Sequence, residues 1–203
     1  LLVFDETHTL ICAPGGLTER WGLEPDVVVL GKAIGGGLPL GAYGMNAALA
    51  AAFERGESLA GEPGELATGG TLFGNALSMA AARAALTEVL TPAAYEHAAD
   101  LGAELADGLE TAVDEAGLPW RVQRLWPRSG VSFSERLARD AAEADADAQP
   151  ELNALLRLYL ANRGVWEAIS TAGPAMSVAA TRADVAAYVA AFRAFVADVV
   201  AAD

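Results

Sequence analysis

An aspartate and a lysine, each closing a short apolar run, are the pair in this sequence best suited to chemistry. Asp5 follows Leu1-Leu2-Val3-Phe4, and Lys32 follows Val27-Val28-Val29-Leu30-Gly31. Such runs suit strands of a parallel sheet covered on both faces. Ligands of open α/β sheets bind beyond the carboxyl ends of the strands, where both side chains would project. An amine beside a carboxylate can serve covalent and proton-transfer chemistry, and the same pair can equally be a structural ion pair. The lysine is singular: the 13 basic residues are 12 arginines and Lys32. Codon bias accounts for the arginines. The lysine is either one chance survivor of that bias or a position that needs a primary amine, which arginine cannot replace.

Composition narrows the remaining classes. The 203 residues are 53% hydrophobic and 20% charged, enough to bury a core. There are 27 acidic residues and the net charge is −14, which predicts no nucleic-acid partner and no anionic membrane. One cysteine, Cys12, excludes an internal disulfide and any paired-cysteine metal site. With only His8 and His97, no histidine-based metal site is expected. The chain opens without Met or a basic segment, so no signal peptide is read. No uninterrupted apolar run approaches the ~20 residues of a membrane span. An opening inside a strand predicts a fragment whose N-terminal part is missing.

The elements that would position the acid and the amine follow from local pattern. Strands are predicted at 1–4, 27–30 and 39–44, with helices at 46–55 and 75–90 and a long loop at 56–70. Pro92 suits the first turn of a helix running to 115, stopped by Gly117. Residues 120–125 and 130–134 read as a strand pair, and 136–150 as a solvated acidic connection. A helix at 151–162 ends at Gly164. Short strands are predicted at 165–169 and 175–179, before a terminal helix opened by the capping-box pattern Thr181-Arg182-Ala183-Asp184. A composition shift near Thr91 divides the chain. The expected class is α/β, a mostly parallel sheet with helices over 1–90, followed by a small α+β domain over 91–203.

Three segments carry a family resemblance. Phe4-Asp5-Glu6-Thr7-His8-Thr9 resembles the D-E-V-x-T segment of the class III aminotransferases. Leu30-Gly31-Lys32-Ala33-Ile34-Gly35-Gly36-Gly37-Leu38-Pro39-Leu40-Gly41-Ala42 resembles their L-G-K-x-x-G-G-G-x-P-x-G-A segment, and Gly70-Thr71-Leu72-Phe73-Gly74-Asn75 their G-T-x-x-G-N segment. The branch most similar is that of glutamate-1-semialdehyde aminomutase. The resemblance implies a fold-type I, pyridoxal 5'-phosphate-dependent transferase, cytoplasmic and homodimeric. It implies that Lys32 holds the cofactor as a Schiff base and shuttles the proton of transamination. Asp5 keeps the pyridine nitrogen protonated. Thr71 donates to the cofactor phosphate from across the dimer interface. Thr7 stands where the family often has a valine packed on the cofactor ring. His8 is placed to hydrogen-bond near Asp5 or to act as a structural histidine. Glu6 either positions its neighbours or serves a capping or solvated role, and Gly74-Asn75 form a helix N-terminus under a phosphate-binding turn. His97 is assigned no role, and Cys12 is read as packing.

The sequence also departs from the family. The arginine that often follows the first motif is replaced by Leu10-Ile11-Cys12. Residues 168–176 lack the acid that aminomutases carry in a small-domain loop, although Glu167 flanks it. The expected reaction is therefore amino transfer between a small-molecule amino donor and a keto acid or aldehyde. Intramolecular aminomutase chemistry is the first alternative, and a truncated non-catalytic partner the second. A phosphate-loop reading of Gly31-Lys32 fails, because the lysine precedes the glycines and Ala33 stands where a hydroxyl would meet a metal.

Overall fold

Val27-Val28-Val29-Leu30 forms the middle strand of a three-stranded sheet in the computed structural model, which describes residues 1–56, 69–167 and 173–202. β1 (Val3–Asp5) pairs parallel to β2 (Val27–Leu30), and β3 (Ala42–Met45) pairs antiparallel to it, in the order β1-β2-β3. The register sets Asp5 opposite Val29, and Glu6 N–H continues the ladder to Val29 O at 2.9 Å. The α/β class stands, with the third strand reversed. The run from Gly31 to Gly41 is too short for the crossover that a parallel return requires.

Between β1 and β2 lie a 3-10 turn at Leu10–Cys12 and the short helix α1 (Gly16–Arg20). A second 3-10 turn, Lys32–Gly35, follows β2. Helix α2 (Ala47–Glu54) is capped by Asn46, whose side chain accepts from Leu49 N–H at 2.8 Å. Asn75 caps α3 (Ala76–Ala84) in the same way through Ser78 N–H at 2.9 Å. The helix predicted at 75–90 changes to π-helical hydrogen bonding at Ala85–Val89. Most of the predicted loop at 56–70 lies outside the described residues.

The strands are less covered than their composition led us to expect. Leu1, Leu2 and Val3 are 73%, 50% and 52% exposed, and β3 is exposed along three of its four residues.

The chain divides into two compact units, Leu1–Tyr95 and Glu96–Asp203. In the second, α4 (Pro92–Glu115), α6 (Pro150–Ala161) and α7 (Arg182–Ala202) enclose one apolar core with the hairpin of β4 (Arg121–Leu125) and β5 (Arg128–Ser132). Leu101, Leu105, Leu109 and Val113 form the helical stripe of α4 and meet Leu160, Phe192 and Phe195. Burying each of these side chains contributes ~2 kcal/mol relative to leaving it in water. Gly102 lets the hairpin turn close on α4: a Cβ there would lie 1.9 Å from Trp126 O.

Three expectations are corrected in this unit. Residues 136–150 contain a helix, α5 (Ala141–Ala146), because Asp140 caps it through Glu143 N–H at 2.9 Å. Residues 175–179 form no strand; Met176 N–H makes a single bond to Pro127 O, 2.8 Å, rather than a ladder. Residues 165–167 form none either, and the rest of that predicted strand lies outside the described residues. Finally, α7 is long and apolar enough to cross a membrane by length and composition. Its apolarity is used inside the unit, where Val185, Tyr188, Phe192, Phe195 and Val196 are buried. The capping box holds, with Thr181 N–H donating to Asp184 Oδ2 at 2.8 Å.

Candidate active site

The parallel pairing of β1 with β2 brings the first two motifs together. Asp5 closes β1, and Lys32 opens the 3-10 turn just after β2. Both side chains are exposed at the strand ends. The Asp5 carboxyl lies below its ordinary range. The causes, in order, are the Thr7 hydroxyl and the Thr7 backbone N–H, opposed by slight desolvation, then the positive charges of Lys32 and His8. Thr7 N–H donates to Asp5 Oδ1 at 2.8 Å, and Thr7 Oγ1 donates to the same oxygen. Asp5 is therefore a carboxylate near neutral pH, its orientation set by Thr7, with an amine and an imidazole in its field.

The loop after Asp5 is fastened by Glu6. This carboxylate is 3% exposed. It accepts from Thr18 N–H at 2.5 Å, from Thr18 Oγ1 at 2.6 Å and from Thr9 Oγ1. Burial pushes its carboxyl up, and the hydrogen bonds from Thr18, Thr9 and the Thr18 and Leu17 backbone outweigh that and hold it down. Gly16 makes room: its φ is +71°, and a Cβ there would lie 2.7 Å from the Glu6 carboxyl carbon.

Lys32 itself has φ +49°, the left-handed region that a lysine rarely adopts. Helix α3 is tied to the segment after it through Ser78 Oγ, which donates to Pro39 O at 3.3 Å. Thr71 stands in the exposed turn before α3, with Leu72 and Phe73 76% and 74% exposed. Thus Asp5, Thr7, His8 and Lys32 gather at one end of the sheet, and Thr71 occupies the surface turn that Asn75 closes, where Asn75 Nδ2 donates to Leu72 O at 2.9 Å. Among the described residues, no group of three or more His, Cys, Asp or Glu side chains could hold a metal ion. Cys12 is buried, and His97 Nε2 bonds Ala180 O at 2.9 Å in the second unit.

Comparison with known proteins settles the family. The aminotransferase class-III model matches residues 1–155. The chain belongs to the class III aminotransferases. Among the family's curated members, glutamate-1-semialdehyde 2,1-aminomutase of Thermomicrobium roseum is 42% identical over 146 residues, 71% of this chain and 32% of that one. A solved glutamate-1-semialdehyde aminomutase from Pseudomonas aeruginosa PAO1 superposes with TM-score 0.87 at 36% identity, covering 97% of this chain and 44% of that one. A β-phenylalanine aminotransferase from Variovorax paradoxus gives TM-score 0.83 at 32% identity, covering 98% and 44%. The chain therefore spans less than half the length of these class III relatives.

Two features escaped the sequence reading. Thr7, at the position where the family often has a valine packed on the cofactor ring, also bonds Asp5 through its hydroxyl and N–H. The signal was present as Asp-x-Thr, the spacing at which a short side chain accepts hydrogen bonds two residues on. The Glu6–Thr18 clamp joins residues twelve apart, and no local pattern marks it.

Proposed function

We propose that this chain carries the lysine and aspartate of a pyridoxal 5'-phosphate-dependent enzyme that transfers an amino group from a small-molecule amino donor to a keto acid or aldehyde. The observation that carries this reading is Asp5 and Lys32 at adjacent ends of a parallel strand pair, in a class III chain. The donor set fits the cofactor. Lys32 is an exposed primary amine, and Asp5 is an anchored carboxylate held in its charged form. When bound, the cofactor supplies an electron sink for bond-making and bond-breaking at the substrate Cα.

The chain's residues divide the work. Lys32 holds the cofactor through its amine and, once released, carries a proton to and from the substrate Cα. Asp5 keeps a proton on the ring nitrogen by the attraction of its carboxylate. Thr7 and His8 flank Asp5. Thr71 donates its hydroxyl to the cofactor phosphate of a partner copy in a homodimer, a reading supported by the exposed apolar turn around it. Residues 1–90 form the C-terminal part of the cofactor-binding domain and 91–203 the small domain, a reading supported by the two compact units. The enzyme is cytoplasmic, as expected of metabolic amino-group transfer.

The aminomutase reading is kept as the second one, because the Thermomicrobium roseum and Pseudomonas aeruginosa relatives bear that name. Glu167, the acid nearest the small-domain loop, is engaged elsewhere. It accepts from Tyr188 OH and lies 3.6 Å from Arg157 Nε. Residues 168–172 of that loop lie outside the described residues. This favours transfer between two molecules.

The experiment is borohydride reduction of the full-length protein carrying this chain, loaded with pyridoxal phosphate, followed by peptide mapping. An adduct on Lys32 is expected. Its absence would end the enzyme reading and leave the non-catalytic partner. Turnover of glutamate-1-semialdehyde with no added acceptor would move the assignment to the aminomutase.

A further inference from the structure

The Thr7 side chain bonds Asp5 and lies against Gly31, the residue before Lys32. Two of its donors converge on one oxygen of Asp5: the backbone N–H at 2.8 Å and the hydroxyl. Two donors on one oxygen fix the plane of the carboxylate, so the direction of the second oxygen follows. The Thr7 side chain also neighbours Gly31. A Cβ built on Gly31 would lie 3.2 Å from Thr7 Cγ2 and 3.6 Å from Oγ1, so Thr7 lies against the backbone of the residue preceding Lys32. Gly31 is buried and extended, with φ −166°, so what it contributes is the space for that contact. A β-branched side chain has few rotamers. Packed against Gly31, the Thr7 side chain has little room to leave the rotamer in which its hydroxyl donates to Asp5.

We propose that Thr7 is a positioning residue, which sets the Asp5 carboxylate against the Gly31-Lys32 turn so that acid and amine meet one pyridoxal-phosphate-class cofactor in a fixed relation. This rests on the function proposed above. Asp5 is exposed, and an exposed carboxylate with no such anchor samples several orientations. A cofactor ring would have to select one of them, and that selection weakens binding. The charged groups acting on Asp5 are Lys32 after β2 and His8 in the loop beyond it. Neither fixes direction as two converging hydrogen bonds do.

The test uses the full-length protein carrying this chain with three substitutions: Thr7→Val, Thr7→Ser and Gly31→Ala. Valine keeps the shape and the backbone bond and removes the hydroxyl. Serine restores the hydroxyl without the methyl. Alanine at position 31 displaces Thr7 from the turn. Two quantities are read: the titration of Asp5 by carboxyl-carbon NMR in cofactor-free protein, and the dissociation constant for pyridoxal phosphate. Thr7→Val should raise the Asp5 pKa and weaken cofactor binding about tenfold. Thr7→Ser should recover the pKa and most of the affinity, and Gly31→Ala should follow Thr7→Val. A merely structural Thr7 would lower the unfolding temperature and leave the Asp5 titration where it was; that result overturns the proposal even if the Lys32 adduct forms. Absence of any Lys32 adduct in the unaltered protein overturns the cofactor reading, and with it the purpose given to Thr7.

Discussion

The two units of this chain solve different problems with their apolar residues. In the second, Phe192, Phe195, Leu101, Leu105 and Leu160 are essentially sealed from water, and three helices and a hairpin share one core. In the first, of a chain that spans less than half the length of its relatives, Leu1, Val3, Tyr43, Leu72, Phe73 and Leu77 are more than half exposed, and the buried residues include Leu10, Cys12, Ala13, Leu17, Ile34 and Ala85 with the Glu6 carboxylate. The second unit has one large apolar core, and the first has a smaller set of buried apolar residues together with a buried, hydrogen-bonded acid. The difference teaches where each kind of residue change should be felt. The second unit should answer to lost volume, and the first to lost donors and acceptors.

The sharpest separation comes from the amine. Lys32→Ala should lower turnover of the full-length protein by about a thousandfold or more, since proton transfer and cofactor attachment are both lost. Circular dichroism should show the fold unchanged; appreciable residual turnover would break the assignment. Next comes Phe192→Ala, a large-to-small change at a sealed position, which should destabilise the protein by ~3–5 kcal/mol in a denaturant titration. The Lys32 adduct should still form in that variant, and its loss would show that the units are not separable. Gly16→Ala should cost ~1–3 kcal/mol, because it combines a strained φ with a Cβ against the Glu6 carboxyl.

Glu6 gives the same comparison a pH axis. Its folded carboxyl lies below the ordinary value, so its stabilisation is complete above about pH 4.3 and fades as pH falls through the depressed folded value. Hydrogen exchange of the Leu17 and Thr18 amides should quicken in that acid window, while amides of the Phe192 core stay protected. Simultaneous opening of both would contradict the contrast. The smallest effect is expected from Arg124, which bridges Asp107 at 2.7 Å and Glu110 at 2.5 Å across a solvated face. Arg124→Ala should change stability by ~0.2–1 kcal/mol, and less at high salt.

What could be read from the sequence depended on whether the signal was local. Helix α4 begins at Pro92 and its last turn is followed by Gly117, because proline and glycine act on their own backbone. The Asp5 and Lys32 positions were legible because their motifs are contiguous. The reversed direction of β3 was not, since strand direction depends on which neighbour the chain meets. The region 175–179 has strand-like composition yet forms no ladder, because composition names no pairing partner. Helix α5 was misread through its acidic surface, although Asp140 and the Arg139–Glu143 pair mark its first turn. The Thr7 hydrogen bonds to Asp5 are a local signal too, because Asp-x-Thr spacing allows the aspartate to accept two residues on.

The backbone of Lys32 carries a last consequence. At φ +49° a glycine rests easily and a lysine is strained by ~1 kcal/mol or more. Of the two ways to delete the amine, glycine should therefore leave a more stable protein than alanine. The role proposed for Lys32 thus sets its amine at a backbone position where glycine is the more stable residue.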